Sequence, residues 1–438
     1  MPTDVLRPNP AALLVAARGS VTDLLKPAAV GAVRDLRRPK SRTAPAAVPR
    51  TGFDPTLPDN IPDPYPALAQ VREHRVAVNE DLGVWMLGHY DDVHAALRDN
   101  ATFSSSDGNV LRSFGASAVV FARPPDHTRL RRVTAPMFNK RSIADLTSDI
   151  RALAAVGVAP LRTGDVVDLV QSLTIPVPIN VIAKMLGIPR AQWSDFRSMS
   201  DHFTGIFGPR TTAEIMRVIG TGLPAYFRFR TLIAAEMQRR AEQPDGDLLT
   251  VLHTARAAGE ISEAEAFFYA FLLLVAGNET TTNLLGLLVL RLAEDAELFA
   301  ELKADRSLLP AAVEETARWG SPVQWAGRTL TEDYRIGDTV IPRGGRALLL
   351  LASANRDPQK FTDPDEFDIH RNTTGHLAFG HGLHFCLGAH LARLETITAI
   401  DELLDQIDGM ELAGPVRWGT TPAVRGPASV PVRLRRRR

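Results

Sequence analysis

The 438-residue chain has one cysteine, Cys386. No intrachain disulfide can form, and nothing points to an oxidising compartment. It also lacks a charge bias. Fifty Lys and Arg meet 50 Asp and Glu, so the broadly basic surface of a nucleic-acid binder is not expected. The uncharged run Leu169–Ala183 contains Pro176 and Pro178 and is too short to span a bilayer. The start lacks the charged, apolar and small-residue order of a secretory signal. No transmembrane segment and a cytoplasmic location are therefore expected. Internal repeats and an alternating strand–helix order are missing too, which argues against a doubly wound sheet. Apolar residues at 45% and charged residues at 23% allow a sizeable core and exclude bulk disorder.

Residues 1–50 differ from the rest, with seven prolines and nine Lys or Arg against three acids. They read as a basic, Pro-containing extension ending in a linker, and residues 51–438 as one catalytic domain. Within 51–438 the apolar spacing predicts helices over Asp63–Glu73, Tyr90–Asp99, Ser142–Ala155, Pro224–Ala241, Glu263–Glu294 and Ala389–Gln406. Strand signals are fewer: Arg75–Asn79, Val84–Leu87, Tyr334–Ile341 and Ala347–Leu351. The expected fold class is mainly α with a small β component. Glu263–Glu294 is apolar round most of its circumference, so it should cross the interior.

The most informative segment is His376-Leu-Ala-Phe-Gly-His-Gly-Leu-His-Phe-Cys-Leu-Gly388, a Gly-rich loop just before a helix. A cysteine there meets backbone N–H donors and the positive end of the helix dipole, both of which favour thiolate. Gly380 and Gly382 allow backbone angles other residues resist, and Gly388 lets the helix start approach closely. From the residues alone three readings stand. Cys386 is a buried structural thiol; or His381, His384, Cys386 and His390 hold zinc; or Cys386 is a haem thiolate.

Phe379-Gly380-x-Gly382-x-His384-x-Cys386-x-Gly388 resembles the haem-binding signature of the cytochrome P450 family, and the likeness runs in order from about Phe53 to the C-terminus. The resemblance implies the P450 fold, with a long central helix over the haem. It makes Cys386 the axial iron ligand of haem b (iron protoporphyrin IX), His384 a propionate contact, and Phe379, Gly380 and Gly388 part of the cofactor site. His127 and Arg131 lie one helical turn apart, an arrangement suited to a carboxylate. By resemblance they, and Arg328, bind haem propionates.

Ala276-Gly-Asn-Glu-Thr-Thr-Thr282 interrupts the apolar central helix at a cost in helix propensity. From the residues alone it is either a polar patch that caps or kinks the helix, or a route for protons. The segment resembles the family's acid–alcohol pair, with Glu279 and Thr280 in its two positions and Ala276 and Gly277 against the cofactor. That pair implies an oxygen-activating monooxygenase. Glu315-x-x-Arg318 resembles the family's buried structural pair. In its usual third position Glu366 stands where an arginine is expected, and Arg371 is the substitute.

By position the resemblance places substrate contacts at Leu111, Phe114, Phe203, Phe207, Phe271, Leu272, Val275, Val323, Gln324 and Trp325. Their apolar content predicts a small to medium, mainly apolar substrate, hydroxylated or O-demethylated with O2. Asp107, Arg112 and Gln324 are the polar candidates. Ser321–Gln324 and Gly375-His376 are similar to segments of bacterial members that oxidise methoxy-substituted aromatic acids, but the central helix offers no carboxylate anchor. No flavin domain or further cysteine is present to carry electrons. The resemblance implies a separate ferredoxin and ferredoxin reductase, with Arg131, Arg132 and Arg393 as docking candidates, and a monomer.

Overall fold

A computed structural model describes residues 47–107, 122–159, 164, 166–202 and 212–435. Residues 1–46 of the basic extension, together with Leu111, Arg112, Phe114, Phe203 and Phe207, lie outside the described residues. Pro49 and Thr51 already pair with Val78, through Val78 N–H to Pro49 O and Thr51 N–H to Val78 O, each 2.9 Å.

The architecture is helical with a small sheet component. The helix Glu263–Glu294 forms over its expected span. Ser262 starts it with a reciprocal cap: its hydroxyl accepts from Glu265 N–H (3.2 Å) while its own N–H donates to the Glu265 carboxylate (2.7 Å). Leu284, Leu285, Leu288, Val289 and Leu292 on it are almost wholly buried, each worth about 1.5–3 kcal/mol of transfer free energy. Among the described residues it is the one helix long and apolar enough to cross a membrane, and 67% of its apolar segment is buried inside the fold. It packs against helices Pro176–Leu186, Leu309–Gly320 and Ala389–Gln406.

Two expected helices differ. Ser142–Ala155 is not one helix but Lys140–Ala144 followed by Thr147–Val158. Asn139 caps the first by accepting from Ser142 N–H at 2.9 Å, and a tight Leu146 N–H to Ile143 O turn separates the two, so that both Ile143 and Ile150 are buried. Pro224–Ala241 is only the later part of a helix that runs from Thr212 to Glu242 straight through Pro224. Proline costs about 3 kcal/mol inside a helix; burial of Tyr226, Phe229 and Ile233 on the same helix offsets that.

Five strands form the main sheet in the order Ala77–Asn79, Val84–Leu87, Arg346–Leu349, Ala326–Leu330 and Phe103–Ser104. Val84–Leu87 and Arg346–Leu349 run parallel and the other pairs antiparallel. Tyr334–Ile341 is a hairpin of two three-residue strands turning at Gly337, whose φ is 54°. A three-stranded sheet joins Val166–Asp168, Pro431–Arg435 and Gly409–Leu412. The main sheet and the helical body leave a cavity of about 310 Å³ between the central helix and the cysteine loop.

Candidate active site

The cysteine loop is shaped by two left-handed glycines, Gly380 (φ 70°) and Gly382 (φ 69°). A Cβ on Gly382 would also stand 2.7 Å from Leu97 O, so any other residue is excluded twice over. Cys386 N–H donates to Phe379 O (2.9 Å) and Phe385 N–H to Gly382 O (3.1 Å), closing the loop. Helix Ala389–Gln406 follows, with Gly388 at its N-cap. Gly388 has ordinary φ, and a Cβ there would meet nothing within 4 Å. Its missing side chain therefore leaves open space at the cavity wall, where a flat ligand could lie, and does not serve close helix packing.

Cys386 lines the cavity and is surface-accessible from it, though protein surrounds the sulfur deeply. Burial pushes its thiol up, while the Gly388 N–H and the charges of Arg131 and Arg393 pull it down, with a net rise. The helix start alone thus does not produce a thiolate here, contrary to expectation. A coordinated metal ion would, because ligation deprotonates a thiol outright. Among the described residues no group of three or more His, Cys, Asp or Glu is placed to hold a metal ion, so the zinc reading with His381, His384 and His390 lacks its ligand set.

Four donors gather at one part of the cavity: His127, Arg131, Arg328 and His384 all line it. The His127 and His384 rings stand edge to face, 4.6 Å apart. Burial, then the charges of Arg328, His127 and Arg131, lowers the His384 pKa to about 3. His127 is lowered by burial and then by Arg131, and burial brings Arg328 down to about 10. His384 Nε2 is 3.0 Å from Ser105 Oγ, whereas His127 Nδ1 is buried without a partner. Among the described residues Arg131 has no ion pair; its Nη1 donates weakly to Leu383 O at 3.4 Å. A set of neutral and cationic donors that depress one another around an orphaned nitrogen is matched by anionic ligand groups such as carboxylates.

The central helix supplies the opposite lining through Leu272, Ala276, Gly277 and Thr280. Gly277 is required by packing, since a Cβ would come within 2.7 Å of Ile182 Cδ1. The Thr280 hydroxyl donates back to Ala276 O at 2.8 Å, which leaves its oxygen lone pairs to accept. Glu279 sits off the cavity lining. Burial raises its carboxyl to about 7 against the opposing hydrogen bond of the Thr421 hydroxyl, and its Oε2 has no hydrogen-bond partner.

Glu315 and Arg318 are fully buried and joined by two 2.7 Å bonds, Arg318 Nε to Oε2 and Nη2 to Oε1. Arg371 Nε stands 3.4 Å from Glu315 Oε1 and completes the trio. Glu366 contributes only its carbonyl, which accepts from Arg318 Nη2 at 3.0 Å. Arg318 Nη1 also reaches the carbonyls of Asn355 (2.9 Å) and Pro364 (2.8 Å). This ties the helix Leu309–Gly320 to the segment that leads into the cysteine loop.

Four expected pocket residues are not in the cavity lining. Gln324 turns inward, its Nε2 donating to Ser321 O at 2.6 Å, and with Trp325 it borders a separate small void beside Phe53 and Arg425. Phe271 packs edge-on against Tyr226 and Phe229, and Val275 is a core residue. In both regions side-chain direction is set by neighbours distant in sequence. Val323 and Leu272 do line the cavity. Of the docking arginines, Arg393 is engaged with the Glu314 carboxylate and lies 4.2 Å over the Phe379 ring, Arg131 faces the cavity, and Arg132 is exposed. Sequence reasoning missed Ser105, which meets His384, and Tyr269, which lines the cavity while its hydroxyl accepts from Thr134 Oγ1 at 2.6 Å. Nothing local to these residues signals their roles, because each acts through a contact across the fold.

Residues 178–407 match the family model for Cytochrome P450. Cytochrome P450 107B1 of Saccharopolyspora erythraea is 34% identical over 409 residues, covering 87% of this chain and 96% of the relative. Cyclomarin C epoxidase CymV of Salinispora arenicola is 36% identical over 381 residues, covering 84% and 95%. The structure of Cytochrome P450 CYP109Q5 from Chondromyces apiculatus superposes with a TM-score of 0.79 at 34% identity, over 88% of this chain and 98% of that one.

Proposed function

The chain belongs to the cytochrome P450 family and is an oxidoreductase of the monooxygenase class, and from that premise we propose how its residues serve the reaction. The family implies haem held by a cysteine thiolate, a substrate, O2 and a redox partner. We assign haem b as the cofactor, which the Cys386 sulfur would hold through its iron. The four-donor cluster suits its two propionates: Arg328 and Arg131 as cations, His127 and His384 as donors. Gly388 leaves room for the flat ring. When bound, haem with a thiolate ligand supplies the activation of O2, because electron donation from sulfur favours O–O cleavage.

The protein's share is binding, exclusion of water and proton handling. Leu272, Ala276, Val323 and Ala326 give the cavity an apolar lining, which selects a small to medium, mainly apolar substrate, since unpaired polar atoms are costly there. The same lining keeps bulk water from the reacting centre. Glu279 holds a proton on a carboxyl poised near neutrality, and Thr280, whose hydroxyl proton is given to Ala276 O, accepts and orients the donor chain. The outcome is insertion of one oxygen atom, as hydroxylation or O-demethylation. Electrons come from a ferredoxin and its reductase, and the enzyme acts as a cytoplasmic monomer. Residues 1–50 are an extension to a single catalytic domain.

One observation carries this reading: Cys386, Thr280 and the four-donor cluster line the same cavity. A reduced, carbon-monoxide-bound difference spectrum of the purified protein tests it. A strongly red-shifted Soret band is expected. A protein that stays colourless after haem reconstitution would overturn it.

A further inference from the structure

We propose that Ser105, which follows the strand Phe103–Ser104, is a positioning residue for His384: its hydroxyl donates to Nε2 and so fixes the ring with Nδ1–H as the donor to an anionic ligand group. The inference rests on the assignment of His384 to a haem propionate above and adds the residue that aims it. Ser105 Oγ stands 3.0 Å from His384 Nε2, and Ser105 is only 2% exposed. Among the described residues this is the one hydrogen bond of the His384 ring.

The direction of this bond follows from the surroundings. Arg131, Arg328 and His127, whose ring is 4.6 Å away, line the cavity together with His384. A further positive charge among them is unfavourable, so His384 is neutral. A neutral imidazole carries one N–H, and the partner of one nitrogen decides the role of the other. If Nε2 donated to Ser105, Nδ1 would be an acceptor and would repel a carboxylate. With Ser105 as the donor, Nδ1 keeps the proton and joins the neighbouring donors in binding an anion.

The backbone delivers Ser105 to this place. Side chains alternate along an extended segment: the hydroxyls of Ser104 and Ser106 bond to each other at 2.8 Å, and Ser105 between them goes to His384. Phe103 pairs with Leu330 and Ser104 with Thr329, on the strand that carries Arg328. One strand pair thus sets both Ser105 and Arg328. Phe103 N–H donates to Asp99 O (2.9 Å) and Thr331 N–H to Thr102 O (3.0 Å). The same stretch of chain meets the cysteine loop twice more. The His94 ring lies 4.2 Å from that of His381, and Leu97 O stands where a Cβ on Gly382 would come within 2.7 Å. Ser105 is the third point of this contact and the one that reaches a donor of the cluster. The other two points do not involve its hydroxyl, so removing the hydroxyl leaves the segment seated.

The test is a long-range proton–nitrogen correlation spectrum of the histidine rings in the full-length, haem-loaded protein, reduced and carbon-monoxide-bound so that the iron is diamagnetic. His384→Gln identifies the His384 signals. The wild-type ring is expected in the Nδ1–H form. In Ser105→Ala the ratio of Nε2–H to Nδ1–H form should rise about fivefold, the worth of one ordinary hydrogen bond, and Ser105→Thr should bring it back. Release of haem to an apomyoglobin acceptor should quicken in Ser105→Ala and in His384→Gln, with the red-shifted carbon-monoxide band retained. An Nε2–H ring in the wild type, or an unchanged ratio in Ser105→Ala, overturns the proposal. Loss of the red-shifted band in Ser105→Ala also overturns it, because Ser105 would then be a support of the cysteine loop as a whole. A changed ratio in Ser105→Ala, with haem release unaltered in both Ser105→Ala and His384→Gln, leaves the hydrogen bond standing and overturns the propionate reading of His384 instead.

Discussion

Glu315→Gln removes a charge from the most enclosed ion pair among the described residues. The carboxylate takes two 2.7 Å bonds from Arg318, the Asp368 N–H at 2.9 Å and the Arg371 guanidinium at 3.4 Å, with no exposed surface on Glu315 or Arg318. Glutamine fills the same volume, but one of its polar ends is a donor and so faces donors. Two guanidinium groups then lose their counter-charge in the interior. Arg318 keeps its carbonyl acceptors at Asn355, Pro364 and Glu366, which softens the loss without neutralising it. Breaking a buried pair from one side costs about 3–5 kcal/mol; for a chain of this size the lower figure is about 3 °C in melting temperature. Urea unfolding of the haem-loaded protein measures it, followed by fluorescence of Trp319, whose indole donates to Asp365 O at 2.7 Å. Soret absorbance in the same titration reports whether the cysteine loop loosens first. Arg371→Gln leaves the Glu315–Arg318 pair intact and should cost less. A loss below about 1 kcal/mol in Glu315→Gln, the range of an exposed pair, would refute the claim that enclosure makes this pair decisive.

Cys386→Ala should abolish the red-shifted carbon-monoxide band and turnover together; retention of both would sink the ligand assignment. Thr280→Ala should leave the band unchanged but lower product formed per NAD(P)H oxidised, with the missing electrons recovered as hydrogen peroxide, so unchanged coupling removes Thr280 from proton delivery. Burial would raise the Glu314 pKa, but Arg393 and His376 hold it at about 2, below its ordinary 4.5. A depressed carboxylate stabilises the fold above its unfolded pKa and loses that contribution as pH falls through the folded one. Stability should therefore drop by roughly 3 kcal/mol between pH 4.5 and 2, and Glu314→Gln should lose that part of the acid dependence; equal slopes in chemical denaturation would contradict it.

Several elements were legible because their causes are local. Glu263–Glu294 and Ala389–Gln406 form over their expected spans, the first because Ser262 and Glu265 cap it and its apolar side chains repeat at helical spacing. Gly380 and Gly382 adopt the left-handed backbone that their spacing before Cys386 suggests. The strands at Val166–Asp168 and Pro431–Arg435 escaped notice, since both are short and pair with each other across most of the length between them. The break between Ala144 and Thr147 escaped because both halves keep the same apolar period.

The residue pattern by itself determined the family, the cysteine loop, the acid and alcohol at Glu279 and Thr280, and the Glu315–Arg318 pair, because each is carried by residues close together on one loop or helix. Tertiary structure alone decided which side chains meet. It brought Arg371 to Glu315 across the turn after Glu366, turned Gln324 away from the cavity, and made the Cys386 thiol net harder to ionise despite the helix start. Burial and contact between distant segments depend on the packed chain as a whole, and no window of the sequence contains them.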